Sequence, residues 1–301
     1  MTNLVIGSRG SDLALYQANF IRDILVQEYK CNVQIKIIKT SGDKIDNLSF
    51  DKMEGKGFFT KELEEALLAS EIDLAVHSLK DLMTTQPEGL KLGAAGYRAD
   101  RREMLLIRPD AREGDGVIPV RDGGVLGTSS NRRKCQVAHF NRSLKIADLR
   151  GNVPTRVQKL RDGKYDAILA AAAGINRLEL DLSDLEVVLL DAGQFLPAPA
   201  QGILGIQIRE DDTMVEEVIS KLGSPEAMTE ANLERGLLKR FDSGCSLPLG
   251  VWSTRDEGGF KLKAVLGTRE GEDWGELKSV EVSGGEVDAI VNQAYHELTG
   301  K

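Results

Sequence analysis

The 301-residue sequence lacks an excess of basic charge, has few cysteines and histidines, and contains no long apolar run. Lys and Arg total 39 against 47 Asp and Glu, a formal net charge of -8. A nucleic-acid binder draws affinity from phosphate neutralisation by a basic surface, so this balance argues against nucleic acid as a partner. The three cysteines, Cys31, Cys135 and Cys245, are odd in number and carry no CxxC spacing. Neither a disulfide framework nor a zinc cluster is expected. His77, His139 and His296 are too scattered to suggest a histidine metal set, so no metal is expected. Apolar stretches such as residues 167–173 and 187–190 are far too short to cross a bilayer, and Met1 leads almost directly into Leu4-Val5-Ile6 without a signal-peptide pattern. The expectation is a cytoplasmic protein with no membrane partner. No convincing internal repeat and no low-complexity tract is visible.

What is present is a globular composition, 41% hydrophobic, enough for two or three compact units. Residues 4–6 read as a buried strand, followed by Gly7-Ser8-Arg9-Gly10 and a helix starting near Ser11 or Asp12 with Leu13, Phe20, Ile21 and Ile24 on one face. A strand at 33–38, a helix at 60–70 and a strand at 74–76 continue the alternation, which implies parallel βαβ units. A second α/β set follows, with strands near 104–107, 125–127, 167–170 and 187–190 and helices after Thr128 and around 155–161. The proline-rich segment 197–202 then leads to a strand at 204–208 that can rejoin the first sheet. From about Pro225 the pattern changes to a helix, three strand-like runs and a strongly amphipathic last helix, a small α+β domain. Between strand and helix, residues 41–57 form a polar, glycine-containing loop carrying Lys44, Lys52 and Lys56. A loop this long in a compact domain is either a lid over a site or an ordinary solvated loop.

Against the acidic total, arginines concentrate. Gly127-Thr128-Ser129-Ser130-Asn131-Arg132-Arg133 follows a strand and opens a helix, so backbone N–H groups, hydroxyls and two guanidiniums should face one crevice. Leu149-Arg150-Gly151-Asn152-Val153-Pro154-Thr155-Arg156 repeats the pattern at the next strand-to-helix junction. Guanidiniums grip carboxylates through two parallel charge-assisted hydrogen bonds, so a small polyanionic ligand fits both. Val76-His77-Ser78-Leu79-Lys80-Asp81 ends another strand, and Asp81 serves either as a fixed negative charge for a developing cation or as a helix cap. His77 reads as a hydrogen-bonded structural residue. Cys245 lies in a loop of Gly244, Ser246 and Pro248, where a thiol is either inert or, with positive neighbours, reactive.

Taken in order, these motifs resemble the porphobilinogen deaminase (hydroxymethylbilane synthase) family. The likeness includes Gly7-Ser8-Arg9-Gly10-Ser11, Gly55-Lys56-Gly57-Phe58-Phe59-Thr60-Lys61-Glu62-Leu63, Ala75-Val76-His77-Ser78-Leu79-Lys80-Asp81, residues 127–133, 149–156 and 198–205, and Gly244-Cys245. It implies two periplasmic-binding-protein-like α/β lobes with a hinge and a cleft, plus a C-terminal α+β domain. The corresponding boundaries are 1–98 with 199–219, 99–198, and 220–301. It implies a dipyrromethane cofactor joined to Cys245 by a thioether. Four porphobilinogen molecules are then condensed head to tail with loss of ammonia, and hydroxymethylbilane is released by hydrolysis. Asp81 matches the family's catalytic aspartate, which binds pyrrole N–H groups and stabilises a cationic azafulvene. Arg9, Ser11, Lys80, Thr128, Ser129, Ser130, Arg132, Arg133, Arg150, Arg156, Gln201 and Arg177 fall on cofactor and substrate acid groups or the shell around them. Lys52, Lys56 and Phe59 fall on the lid. A monomer is implied. The competing reading is a non-catalytic two-lobed binder of small anions, which has no use for the cysteine-bearing third domain.

Overall fold

The computed structural model describes residues 2–40, 60–242, 247–256, 258–271 and 273–300. Two compact units emerge, one of residues 1–99 with 202–231, the other of residues 100–201 with 232–301.

The first unit begins with β1 (Asn3–Ser8), α1 (Asp12–Gln27) and β2 (Asn32–Ile37), then α2 (Lys61–Leu68), β3 (Leu74–Ser78) and β4 (Leu90–Gly96). Helix α1 starts where the sequence places it because the Ser11 side chain accepts the Ala14 N–H. Its buried Gln17, Ala18, Ile21 and Leu25 recur at spacings of one turn and lie against the sheet. The second unit contains β5 (Glu103–Ile107), β6 (Val125–Gly127), α3 (Asn131–Phe140), β7 (Lys145–Ala147), α4 (Val153–Arg161), β8 (Ala167–Ala171), α5 (Ala172–Arg177) and β9 (Glu186–Leu189). The chain returns to the first unit as β10 (Leu204–Arg209) and α6 (Thr213–Ile219), and α7 (Pro225–Arg240) gives residues to both units. Strands β11 (Leu249–Asp256), β12 (Gly259–Glu270) and β13 (Asp273–Gly284) and helix α8 (Val287–Thr299) complete the second unit.

The two five-stranded sheets have strand orders β2-β1-β3-β10-β4 and β7-β6-β8-β5-β9. The expected parallel βαβ units are present, β1 with β2 and β3 and β6 with β7 and β8, within sheets that are mixed: β10 runs antiparallel to β3 and β4, and β5 antiparallel to β8 and β9. Parallel neighbours require a helical crossover within the sheet. Strands β5 and β10 instead arrive along the two segments that pass from one unit to the other, so where the chain enters fixes their direction. The two sheets are equivalent, each with an antiparallel guest as its fourth strand, between the third and the fifth. That repeat of architecture has no counterpart in the sequence. Apolar clusters cover both faces of each sheet, and a further cluster fills the space between β11-β12-β13, α7 and α8.

Candidate functional site

In the first unit, β3 ends at Ser78 and passes into a single 3-10 turn, Leu79–Asp81. Leu79 and Leu82 are buried, so the apolar residues fix the turn while Lys80 is half-buried and Asp81 is exposed. The Leu79 N–H donates to the Ile203 carbonyl at 3.0 Å, and buried Gln17 of α1 donates to Ser78 Oγ at 2.8 Å. Behind the turn, His77 Nε2 and Gln207 Oε1 lie 3.1 Å apart, Gln207 Nε2 donates to Gln86 Oε1 at 2.7 Å, and Gln86 Nε2 donates to the Met83 carbonyl at 2.6 Å. The segment carrying Asp81 is therefore tied on both sides to rigid strands, and His77 is a hydrogen-bonded structural residue. Arg9 and Ser11 are half-buried at the start of α1.

In the second unit, Gly127 closes β6 against the Tyr165 ring, where an added Cβ would lie 2.8 Å from Cδ1. Thr128 is buried; its N–H donates to the Ala147 carbonyl at 2.8 Å, and its Oγ1 accepts the Ser130 N–H at 3.3 Å. Ser129 Oγ donates to the Leu149 carbonyl at 3.0 Å and accepts the Leu149 N–H at 3.1 Å, joining the two strand-to-helix loops. Helix α3 starts at Ser130 without a side-chain cap. The next loop turns at Gly151, φ +106°, and Asn152 caps α4 by accepting the Thr155 N–H at 2.9 Å. Arg156 Nε donates to the Gly151 carbonyl at 2.7 Å and Lys159 Nζ to the Arg150 carbonyl at 3.0 Å. Arg150, Arg156 and Arg177 are half-buried.

Arg132 and Arg133 do not stand open at the strand end as their position suggested. Each is 6% exposed, and both reach inward to Glu103, which is fully buried. Glu103 Oε1 accepts from Arg132 Nη2 at 2.6 Å and from Gln201 Nε2 at 2.9 Å, and Oε2 accepts from Arg133 Nη2 at 2.7 Å. Burial pushes the Arg132 pKa down, Glu103 opposes that shift, and the neighbouring Arg133 charge adds to it. A guanidinium with a carboxylate 2.6 Å away nevertheless stays charged. A second buried carboxylate, Glu234 of α7, accepts the Ala200 N–H at 2.7 Å and the Ser253 hydroxyl at 2.7 Å. Gln136 holds both polar groups of the Leu196 backbone, accepting its N–H at 2.7 Å and donating to its carbonyl at 3.0 Å. Sequence reasoning missed Glu103, Glu234 and Gln136. Glu103 carried a usable signal, since an acidic residue heading an apolar strand needs a cationic partner when buried.

Cys31 and Cys135 are both buried. Cys135 Sγ donates to the Arg132 carbonyl at 3.2 Å, and burial pushes its pKa up to about 12, which removes it as a nucleophile. Cys245, Lys52, Lys56 and Phe59 lie outside the described residues. The described chain resumes in the second unit: Leu247 packs on the core between β11-β12-β13, α7 and α8, and Pro248 accepts the Gly267 N–H at 3.0 Å. Among the described residues no group of three His, Cys, Asp or Glu is placed to hold a metal.

Two family models match the chain: the dipyrromethane cofactor-binding domain of porphobilinogen deaminase over residues 4–217, and the C-terminal domain of the same enzyme over residues 228–291. The chain is 43% identical over 272 residues to the porphobilinogen deaminase of Maridesulfovibrio salexigens, covering 90% of this chain and 86% of that protein. It is 40% identical over 296 residues to that of Nitratiruptor sp., covering 98% and 90%. The chain belongs to the porphobilinogen deaminase family. It is thus a transferase of tetrapyrrole biosynthesis with a dipyrromethane cofactor-binding domain, and the reading as a non-catalytic anion binder is set aside. A periplasmic substrate-binding protein of an ABC transporter from Coxiella burnetii superposes with TM-score 0.44 at 14% identity, covering 77% of this chain and 96% of that one. The lobe architecture stands on the strand pairing above. No helix is long and apolar enough to cross a membrane among the described residues.

The donor chemistry of the second unit fits the cofactor's acid side chains. The start of α3, where the Ser130 side chain makes no cap, is the positive end of a helix dipole, and the strand-to-helix segment joined to it through Ser129 and Leu149 carries half-buried Arg150 and Arg156.

Proposed function

We propose that this chain holds its dipyrromethane on Cys245 and uses Asp81 as the charge-stabilising group for each addition. The observation that carries the second part is the turn at Leu79–Asp81, whose buried leucines and backbone contacts leave an exposed carboxylate on a rigid support. Bound as a thioether, the cofactor supplies the primer from which the polypyrrole grows. Ser130, Arg150 and Arg156 with the start of α3 bind its acid groups, together with Thr128, Ser129, Arg132, Arg133, Arg177 and Gln201 in the shell around them. Arg9, Ser11 and Lys80 bind acid groups of porphobilinogen and the lengthening chain, and Lys52, Lys56 and Phe59 belong to a lid.

Asp81 accepts hydrogen bonds from the pyrrole N–H groups of an incoming porphobilinogen and faces the positive charge that develops as ammonia leaves. A fixed charge ~4 Å from a developing cation contributes about 4 kcal/mol at an effective dielectric constant of ~20. That corresponds to roughly a thousandfold in rate. Asp81→Asn keeps the shape and removes the charge. We expect a folded protein whose kcat falls by about two to three orders of magnitude, with a smaller change in KM. Turnover within a few-fold of the parent would move the catalytic role to another residue.

The domains we propose are 1–98 with 199–219, 99–198, and 220–301, supported by the three separate sheets. The family likeness also supports a monomer working in the cytoplasm.

A further inference from the structure

Arg132 and Arg133 are adjacent cations, and neither is solvated enough to dissipate its charge. Two such groups repel, and without an anion between them they would turn toward water. Glu103 is that anion, and it sits on a support that cannot yield. As the first residue of β5 it is paired with Ala171 of β8, and its carbonyl accepts the Leu190 N–H at 2.9 Å. Each guanidinium is also held at a second point, Arg132 Nη1 on the Leu196 carbonyl at 2.9 Å and Arg133 Nη1 on the Leu169 carbonyl at 3.0 Å. Gln201 shares Glu103 Oε1 with Arg132 and donates to the Arg101 carbonyl at 2.9 Å. One carboxylate between two guanidiniums leaves the trio a positive charge in excess. Arg133 Nε, buried and without a hydrogen-bond partner, is a donor left over when Glu103 and Leu169 have been served.

We propose that Glu103 is a positioning residue that sets Arg132, Arg133 and Gln201 as one preformed receptor for a ligand carboxylate. The inference rests on the reading that these three residues lie around the acid groups of cofactor or substrate. Glu103 touches no ligand itself. It fixes the rotamers of both arginines and cancels one of their charges, so that the receptor has a single net charge to offer a carboxylate. This stores the ordering of two long side chains in the folded protein before the ligand arrives.

The test compares Glu103→Gln with Glu103→Asp in the full-length protein. Intact mass gives the fraction carrying dipyrromethane, steady-state kinetics of the loaded fraction give KM and kcat, and thermal unfolding gives the midpoint. Glu103→Gln keeps the size, removes the charge and turns an amide donor toward donors. The loaded fraction falls well below that of the parent, and KM for porphobilinogen rises about tenfold or more while kcat moves less. Glu103→Asp keeps the charge, retracts it by one methylene, and lies between the two in both readouts. A Glu103→Gln protein that unfolds at lower temperature yet loads fully and keeps the parent KM has lost only a structural contact, and the proposal is overturned. If Glu103→Gln does not fold, Glu103→Asp decides, since parent loading and parent KM there overturn it equally. Failure of the underlying reading is distinguishable, because Arg132→Leu and Arg133→Leu would then load dipyrromethane and keep the KM of the parent.

Discussion

Gly267→Ala is a small substitution at a site with no room for it. Gly267 lies on β12, at the point where its register with β13 shifts, and faces α3 within the second unit. An added Cβ would be 2.6 Å from Cys135 Cβ, 2.7 Å from Cys135 Sγ and 3.2 Å from Pro248 Cβ. The sulfur can rotate, but Cys135 Cβ is fixed to a buried helix, so strand or helix must move. Overpacking of this kind costs ~1–3 kcal/mol. In a unit of this size that corresponds to a fall in Tm of roughly 3–9 °C. The strain reaches Pro248, three residues after Cys245 in the chain, because the Gly267 N–H donates to the Pro248 carbonyl at 3.0 Å. The same protein should therefore load less dipyrromethane. Thermal unfolding and intact mass read the two effects. A double-mutant cycle identifies the atoms: Cys135→Ala leaves the Cβ conflict in place, whereas Cys135→Gly removes it, and Gly267→Ala with Cys135→Gly should be less destabilised than the sum of the singles by ~1–2 kcal/mol. An unchanged midpoint together with unchanged loading in Gly267→Ala would refute the packing argument.

Gly202 has φ +90°, and an added Cβ would lie 2.4 Å from the Ala99 carbonyl oxygen. Gly202→Ala combines a left-handed backbone with a backbone clash, so we expect ~2–4 kcal/mol of destabilisation, visible as a lower urea midpoint; an unchanged midpoint would refute the close approach. The Cys135 thiol, moved from 9.0 to about 12 by burial, should resist iodoacetamide at pH 8 in the folded protein and react once it is unfolded. Because the folded state holds this proton more tightly, the associated stability is complete below pH 9.0 and is lost as pH rises toward about 12. Rapid alkylation of Cys135 in native protein would contradict its placement.

Much of the fold was legible because burial leaves a period in the chain. The shared face of Leu13, Phe20, Ile21 and Ile24 marked α1, where Ile21 is buried, and the uninterrupted apolar run of β8 marked a strand. Strand β4 was missed because Gly93 and Gly96 interrupt its apolar pattern, and β7 because Ile146 is the one large apolar residue in its three. The direction of β5 and β10 was not readable, since it depends on where the chain re-enters each sheet. At the site, glycine turns and capping residues placed Thr128, Ser130 and Asp81 at strand ends. The fate of Arg132 and Arg133 lay beyond local sequence, because their partner Glu103 is 29 and 30 residues away. Sequence spacing indicates which element bears an arginine, whereas the carboxylate it meets is set by the sheet order.

The central claim is that Cys245 holds the dipyrromethane, and intact-protein mass spectrometry followed by peptide mapping tests it most directly. The account predicts the added mass of two linked pyrroles on the peptide containing Cys245, and a Cys245→Ser protein that lacks both the addition and the activity. A fully active enzyme without the added mass, or with the pyrroles on Cys31 or Cys135, would contradict it.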